Sequence, residues 1–355
     1  MHPEYATEWW YTTGILRTAE GRRFGYELTF FRLGLVPGGS AVRLAAVTAG
    51  RLSPWRATDL ILAHATLTDP ETRRFLVDYR ASRAAQGWAG ADSTRLDVWV
   101  DDWRMTQARN PDSTQSLATS SVSQPGSGAD FTVRVPEAST SGRFGLDLRL
   151  LTLRPPVLHG DGGLSPKDAR AEPHASWYLS LPRLETKGTL SVEGEVFEVS
   201  GTTWMDHEFF TGGLSEAQVG WDWFSARLDD GRDLMLYRLR RKDGSTDYLA
   251  GTVVAADGSS WRPADTRDAL FEPLASWTSP ASGTAYPVGW RVRLPAEKLD
   301  LTVRTPLPGQ EVRAGGTAVD YWEGLVDYRG MWGNAAIAGE GYLEMTGYEK
   351  PMEMR

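Results

Sequence analysis

Alternation of apolar and polar residues dominates the chain. Arg23-Phe24-Gly25-Tyr26-Glu27-Leu28-Thr29-Phe30, Leu96-Asp97-Val98-Trp99-Val100, Phe144-Gly145-Leu146-Asp147-Leu148-Arg149-Leu150 and Leu299-Asp300-Leu301-Thr302-Val303 repeat with period two, which sends successive side chains to opposite faces of a strand. Turn pairs interrupt these runs at short intervals, among them Glu193-Gly194, Asp230-Gly231, Asp243-Gly244 and Asp257-Gly258, as antiparallel hairpins require. Helical periodicity is scarce, and 165–175 and 263–271 are the best candidates for a turn or two of helix. Two stretches have no period. The first, 107–130, reads as an exposed excursion between strands, and the second, 155–173, is dense enough in glycine around Gly160, Gly162 and Gly163 to read as a shaped loop. Many short strands with few helices predict barrels or sandwiches rather than a parallel sheet.

A weak internal repeat sharpens this. Trp9-Trp10-Tyr11 precedes Leu16 and Gly21 as Trp221-Asp222-Trp223 precedes Leu228 and Gly231, and residues 199–207 align without a gap against 337–345. The repeat predicts two related all-β domains, 1–212 and 213–355, that join near 210–215, with insertions in the first copy.

The segment 197–210 carries the candidate chemistry. Its odd positions, Phe197, Val199, Gly201, Thr203, Met205, His207 and Phe209, form an apolar face until its end, so His207 is expected to project toward an apolar interior. Its even positions, Glu198, Ser200, Thr202, Trp204, Asp206, Glu208 and Phe210, suit the outside of a barrel or an interface with the other domain, and Asp206 points away from His207 unless a bulge intervenes. The second copy has Met345 where the first has His207. An imidazole in place of a thioether is a candidate for function, the alternative being a hydrogen-bonded structural histidine. Asp206 and Glu208, with Trp221, Asp222 and Trp223 downstream, could form an acid of raised pKa beside indoles, or a solvated edge beside core tryptophans.

Composition narrows the classes. The 355 residues carry 38 Lys plus Arg against 46 Asp plus Glu, a net charge of −8, with basic residues scattered, so nucleic acid is not an expected partner. With no cysteine, disulfides, thiolate nucleophiles and thiolate metal sites are excluded. The histidines at 2, 64, 159, 174 and 207 show no metal-ligand spacing, and no nucleophile elbow, phosphate loop, dinucleotide fingerprint or His-Glu-x-x-His occurs. No cofactor and no metal are expected. No apolar run reaches the roughly 20 residues of a membrane span. Met1-His2-Pro3-Glu4-Tyr5 lacks the charged and apolar regions of an export signal, and the abrupt entry into a strand leads us to expect that an export segment precedes it.

Five segments together resemble one family: Tyr5-Ala6-Thr7-Glu8-Trp9-Trp10-Tyr11, Gly160-Asp161-Gly162-Gly163-Leu164-Ser165, Ser176-Trp177-Tyr178-Leu179-Ser180, Gly201-Thr202-Thr203-Trp204-Met205-Asp206-His207-Glu208-Phe209 and Val219-Gly220-Trp221-Asp222-Trp223-Phe224. They look like the AttH and carotenoid 1,2-hydratase group of lipocalin-like proteins. The resemblance implies two consecutive lipocalin-like antiparallel β-barrels, a cell-envelope, periplasmic or secreted location, and relatives that include secreted hydrolases, lipoproteins and fungal pericyclic cyclases. The group's hydratases add water to an isoprenoid double bond without a cofactor through a motif like Asp-His-Asn-Trp. Asp206 and His207 match that motif, whereas Glu208 and Phe209 replace Asn and Trp. A phenyl face stabilises a tertiary cation less well than an indole, so the substrate is expected to differ from an acyclic carotenoid. The expectation is an enzyme acting on an isoprenoid-like or polyketide-like molecule in a barrel lumen. Asp206 and His207 would transfer protons there, and Trp10, Tyr11, Trp204, Glu208, Phe209, Trp221 and Trp223 would line the site. A non-catalytic carrier of an apolar ligand and a hydrolase are the alternatives.

Overall fold

A computed structural model describes residues 1–35, 53, 57–108, 130–140, 142–169, 174–263, 268–313 and 320–352. The excursion expected at 107–130 lies mostly outside the described residues. The chain forms two antiparallel sheets. The first contains β1 (Thr7–Arg17), β2 (Arg23–Gly34), β3 (Asp59–Asp69), β4 (Arg74–Arg83), β5 (Ala89–Ala91), β6 (Asp97–Val100), β7 (Trp103–Gln107), β8 (Asp130–Val135), β9 (Phe144–Thr152), β10 (Val157–Leu158), β11 (Leu164–Pro166), β12 (Ala175–Val192) and β13 (Glu195–Phe210). Its order is β4-β3-β2-β1-β13-β12-β9-β8-β7-β6-β5, with β10 and β11 pairing to β12. The sheet curls until β3 and β4 touch β5 and β6.

The second sheet contains β14 (Gln218–Leu228), β15 (Asp233–Arg241), β16 (Thr246–Val254), β17 (Ser260–Trp261), β18 (Leu270–Thr278), β19 (Ala285–Leu294), β20 (Leu299–Arg304), β21 (Glu311–Val312), β22 (Tyr321–Trp332) and β23 (Ala335–Met345). Its order is β17-β16-β15-β14-β23-β22-β20-β19-β18, with β21 on β22. In both sheets the first strand pairs with the last. The architecture is therefore two lipocalin-like antiparallel barrels, as the alternation and the repeat predict. Among the described residues only Glu137–Thr140 and Pro295–Glu297 are helical, each a single 3₁₀ turn, and no helix is long and apolar enough to cross a membrane.

The helical turns expected at 165–175 and 263–271 do not form in the described residues there. Ser165 pairs with Ser176 and Pro166 with Ala175 across a strand pair, and Leu270 begins β18. A free sheet edge outweighs a weak local preference.

The repeat is visible in the register. Trp10 pairs with His207 and Leu16 with Gly201 in the first barrel, and the aligned positions Asp222 with Met345 and Leu228 with Gly339 in the second. Side-chain alternation then sorts each strand. Trp10, Leu16, Val199 and Met205 fill the first lumen together with Phe24, Phe30 and Trp103, and Phe224, Leu228, Leu343 and Met345 fill the second with Trp290 and Trp322. The opposite faces of the same strands meet between the barrels, where Tyr11, Ile15, Trp204, Trp223, Leu325 and Tyr342 form a third core.

Glycine at the repeat positions 201 and 339 has a steric reason. A Cβ on Gly201 would lie 2.0 Å from the Ile15 carbonyl oxygen, and one on Gly339 would lie 2.5 Å from that of Arg227. Gly201→Ala should therefore destabilise the protein by about 1–3 kcal/mol, the usual cost of overpacking, lowering the urea midpoint in equilibrium unfolding while the slope of the transition stays unchanged.

Candidate active site

A cavity of about 640 Å³ opens between the barrels, within the ordinary range for small-molecule sites. Its apolar walls come from the outward faces of the paired strands: Trp9 and Tyr11 from β1, Phe31 and Leu33 from β2, Phe210 from β13, Trp221 and Trp223 from β14, and Tyr237 and Leu239 from β15. Polar groups converge on it from both barrels, namely Asp206, Glu208, Tyr178 and Lys167 from the first and Glu344 and Tyr321 from the second, with His64 on β3. The barrel lumens are filled by side chains, so the site lies between the barrels and not within one of them.

Asp206 has the most developed surroundings. It is buried, and its Oδ1 accepts hydrogen bonds from Ser180 Oγ and from Trp204 Nε1 at 2.7 Å, while its Oδ2 accepts one from Tyr178 OH at 2.7 Å. Trp223 Nε1 in turn donates to Tyr178 OH at 2.9 Å. Ser180 gives its proton to Asp206, so its oxygen accepts from His159 Nε2 at 2.6 Å, and His159 Nδ1 must then accept from Thr252 of the second barrel at 2.8 Å. Burial holds this imidazole neutral, with its pKa lowered to about 3. The loop 159–163 delivers His159. It depends on glycine, because Gly160 has φ +66° and a Cβ there would sit 2.0 Å from the Leu164 carbonyl oxygen.

Burial pushes the Asp206 carboxyl up to about 7 against the downward pull of its three donors. The site therefore holds a carboxylic acid that can part with its proton near neutral pH, with donors already arranged for the anion that remains. Two residues further along the same face of β13, Glu208 Oε1 lies 2.5 Å from Lys167 Nζ, which sits over the rings of Tyr237 and Tyr178, at 4.7 and 5.3 Å. Burial opposes the lysine's charge, but Glu208 prevails and holds its pKa above the ordinary value.

On the second barrel's side Trp221 Nε1 donates to Glu344 Oε2 at 2.8 Å. Burial raises Glu344 to about 7, with the charges of Asp206 and Glu208 adding to the rise. Tyr321 OH lies 3.0 Å from His64 Nδ1, and burial lowers that histidine to about 4.

The sequence-based site residues divide between the two faces. Asp206, Glu208, Tyr11, Trp221 and Trp223 border the cavity, and Trp204 supports Asp206 from behind. His207, Trp10 and Phe209 do not reach it, so of the two expected proton-transfer residues only Asp206 borders the cavity. Alternation carries His207 to the lumen face, where it stacks on Trp10 with ring centroids 5.2 Å apart and its Nε2 lies 2.9 Å from Glu8 Oε1. Phe209 stacks on His2 at 3.7 Å. This face closes one end of the first barrel. Arg32 Nε reaches Glu8 at 3.1 Å and Arg32 Nη1 reaches Asp59 at 2.7 Å. Burial alone would raise Glu8, but His207 and the neighbouring charges hold it at about 2.

Among the described residues, the set with metal-like spacing is His2, Glu8 and His207, whose ligand atoms lie within 4.8 Å of one another. The buried Arg32 guanidinium on Glu8 opposes a divalent cation there.

Sequence reasoning missed Tyr178, Ser180, His159, Lys167, His64 and Glu344. One of these was within reach, since the gapless alignment of 199–207 with 337–345 sets Glu344 against Asp206. The others needed the strand pairing.

The folded-state pKa of Asp206 lies above the ordinary 3.8, so its contribution to stability is fully present below about pH 4 and is lost as pH rises to about 7. Asp206→Asn cannot ionise and removes this dependence. The melting temperature of the unsubstituted protein relative to the variant should fall between pH 4 and pH 8 and then level off; a constant difference would show that Asp206 ionises as it does in water.

Comparison with known proteins is consistent with this architecture. The model of the AttH-like family matches residues 1–348, and no curated protein matches the sequence. In structure the chain is similar to an AttH protein of Nitrosomonas europaea, with 29% identity and a TM-score of 0.79 over 98% of this chain and 94% of that one. It is also similar to kievitone hydratase from Nectria haematococca, with 15% identity and a TM-score of 0.70 over 98% and 90% of the two chains. CghA matches over 99% and 90% at 13% identity and a TM-score of 0.53. With a family model spanning nearly its whole length, the chain belongs to the AttH-like family.

Proposed function

We propose that this protein is a cofactor-independent enzyme that protonates a carbon–carbon double bond of a lipophilic, isoprenoid-like or polyketide-like molecule held between the barrels, leading to hydration or cyclisation. The observation that carries the reading is Asp206, a buried carboxyl raised to about 7 that borders a largely aromatic cavity and already has three donors placed for its anion. Proton transfer to an alkene leaves a carboxylate and a carbocation. Tyr178, Ser180 and Trp204 stabilise the first without rearrangement. The indole faces of Trp9, Trp221 and Trp223 suit the second. The aromatic walls limit the directions from which water can reach the cation. Kievitone hydratase, a neighbour in fold, makes a hydration the first reaction to try.

The purified protein should convert kievitone to a product heavier by one water or to a cyclised isomer, read by mass spectrometry. Asp206→Asn should lower turnover by about 10²–10⁴-fold, the range for a lost general acid, with the melting temperature measured to confirm folding. His207→Met, on the other face of β13, should stay within a few-fold of the parent. Saturable quenching of tryptophan fluorescence with every ligand recovered unaltered would instead establish a carrier.

A further inference from the structure

The cavity has an acid on each barrel, and the repeat relates them. Asp206 and Glu344 occupy aligned positions, cross-strand from Tyr11 and Trp223 respectively, which are themselves repeat mates. Repeat mates also touch across the interface, with Trp9 against Trp221 at 6.4 Å and Tyr11 against Trp223 at 5.3 Å between ring centroids, as an isologous contact demands. The two carboxyls thus flank one pseudo-two-fold axis and face one space. Their surroundings have diverged. Asp206 has Ser180 as cross-strand neighbour and three donors, whereas Glu344 has Glu323 as cross-strand neighbour and one donor.

The floor on the Glu344 side is polar. Glu323 Oε1 accepts from Tyr11 OH at 2.9 Å, the Glu27 carboxyl has the Thr29 and Thr66 hydroxyls as neighbours, and Glu323 Oε2 is buried with no protein partner. Thr29 and Tyr11 also line the cavity. Buried oxygens of this kind are satisfied by ordered water.

We propose that Glu344 is a second catalytic residue of this cavity, the base that removes a proton from the water attacking the carbocation. This rests on the acid role of Asp206. In the first step the alkene takes the Asp206 proton, leaving the Asp206 carboxylate and a carbocation. In the second, water oxygen bonds to the cationic carbon as Glu344 takes one water proton, leaving the alcohol and a protonated Glu344. The sum is alkene plus water to alcohol, with one proton moved from Asp206 to Glu344 and returned through cavity water before the next turnover.

Electrostatics permit this division of labour. Burial raises both Glu344 and Asp206 to about 7, and the charge of Asp206 adds to the rise at Glu344. The charge of Asp206 makes Glu344 harder to ionise, so near neutral pH states with one of the two protonated are populated, and the reactive one has Asp206 protonated and Glu344 ionised. The other groups around Glu344 are the Glu208 carboxyl of β13, which holds the Lys167 cation, Glu323 and the Tyr321 hydroxyl of β22, Glu27 of β2 and the Tyr11 hydroxyl of β1, and burial raises Glu27 to about 8 and Glu323 well above the carboxyl range. None supplies a cation that would pin Glu344 in its charged form.

The test follows kievitone in D₂O with the full chain and its Glu344→Gln and Asp206→Asn variants. Glu344→Gln should cut hydration by about 10²-fold or more with KM little changed, while deuterium, introduced by Asp206 in reversible protonation, still enters the recovered alkene. Asp206→Asn should lose both. Hydration by Glu344→Gln at the parent rate, or loss of deuterium exchange along with hydration, would overturn the assignment. If the parent protein neither hydrates nor exchanges kievitone, the functional reading has failed, and infrared titration of the carboxyl bands tests the pair independently. The Glu344 titration should move to lower pH in Asp206→Asn, and a Glu344 titration indifferent to that substitution would show that the two carboxyls are not coupled.

Discussion

The packing of one barrel's outer face against the other's governs everything else in this molecule. A lipocalin-like barrel satisfies its apolar needs in its lumen, and both lumens here are filled. The strands that close each barrel, β1 with β13 and β14 with β23, nevertheless carry large aromatic residues on their outer faces, and these must be covered. They cover each other. Tryptophan suits such a layer because a large apolar ring comes with an N–H that can be directed at a polar partner, and Trp204, Trp221 and Trp223 direct theirs at Asp206, Glu344 and Tyr178.

Once that layer exists, the acids within it acquire their chemistry. A carboxyl on an exposed strand face titrates near 4, and the same carboxyl beneath a second barrel is forced toward its neutral form by desolvation. The hydrogen bonds that limit this effect at Asp206 run through Ser180 to His159 and on to Thr252 of the second barrel, so the state of the acid depends on the barrels being docked. Charged contacts at the edge of the same interface, Arg17 with Glu340 and Arg23 with Asp327, are half-exposed and contribute orientation more than stability.

The duplicated scaffold carries unlike chemistry on its two faces. Between the barrels, aligned positions keep an acid but change its neighbours, Ser180 against Glu323 and Trp204 against Tyr342. At the lumen ends the copies differ more sharply. Trp10 and His207 with the Glu8–Arg32–Asp59 network occupy one, and Asp222 with Arg238, Arg240 and Tyr348 the other. Both clusters tie their charged groups to one another, which is the behaviour of a plug.

Alternation, turn spacing and the repeat suffice to read two antiparallel barrels from the chain, because period two and hairpin chemistry are local properties. They also separate Asp206 from His207 onto opposite faces of β13. What they do not reveal is which face matters, and the difference between Met345 and His207 drew attention to the lumen side. Tyr178, Ser180 and His159 reach Asp206 from separate segments of the chain, and no local spacing brings them together. The amino-acid sequence alone determined which side chains share a face and where the chain turns back, since both follow from backbone geometry over a few residues. Only the tertiary structure decided that the even face of β13 is the one sealed against a second barrel, and so which carboxyl loses its water, because desolvation depends on what lies opposite in space rather than on what comes next in the chain.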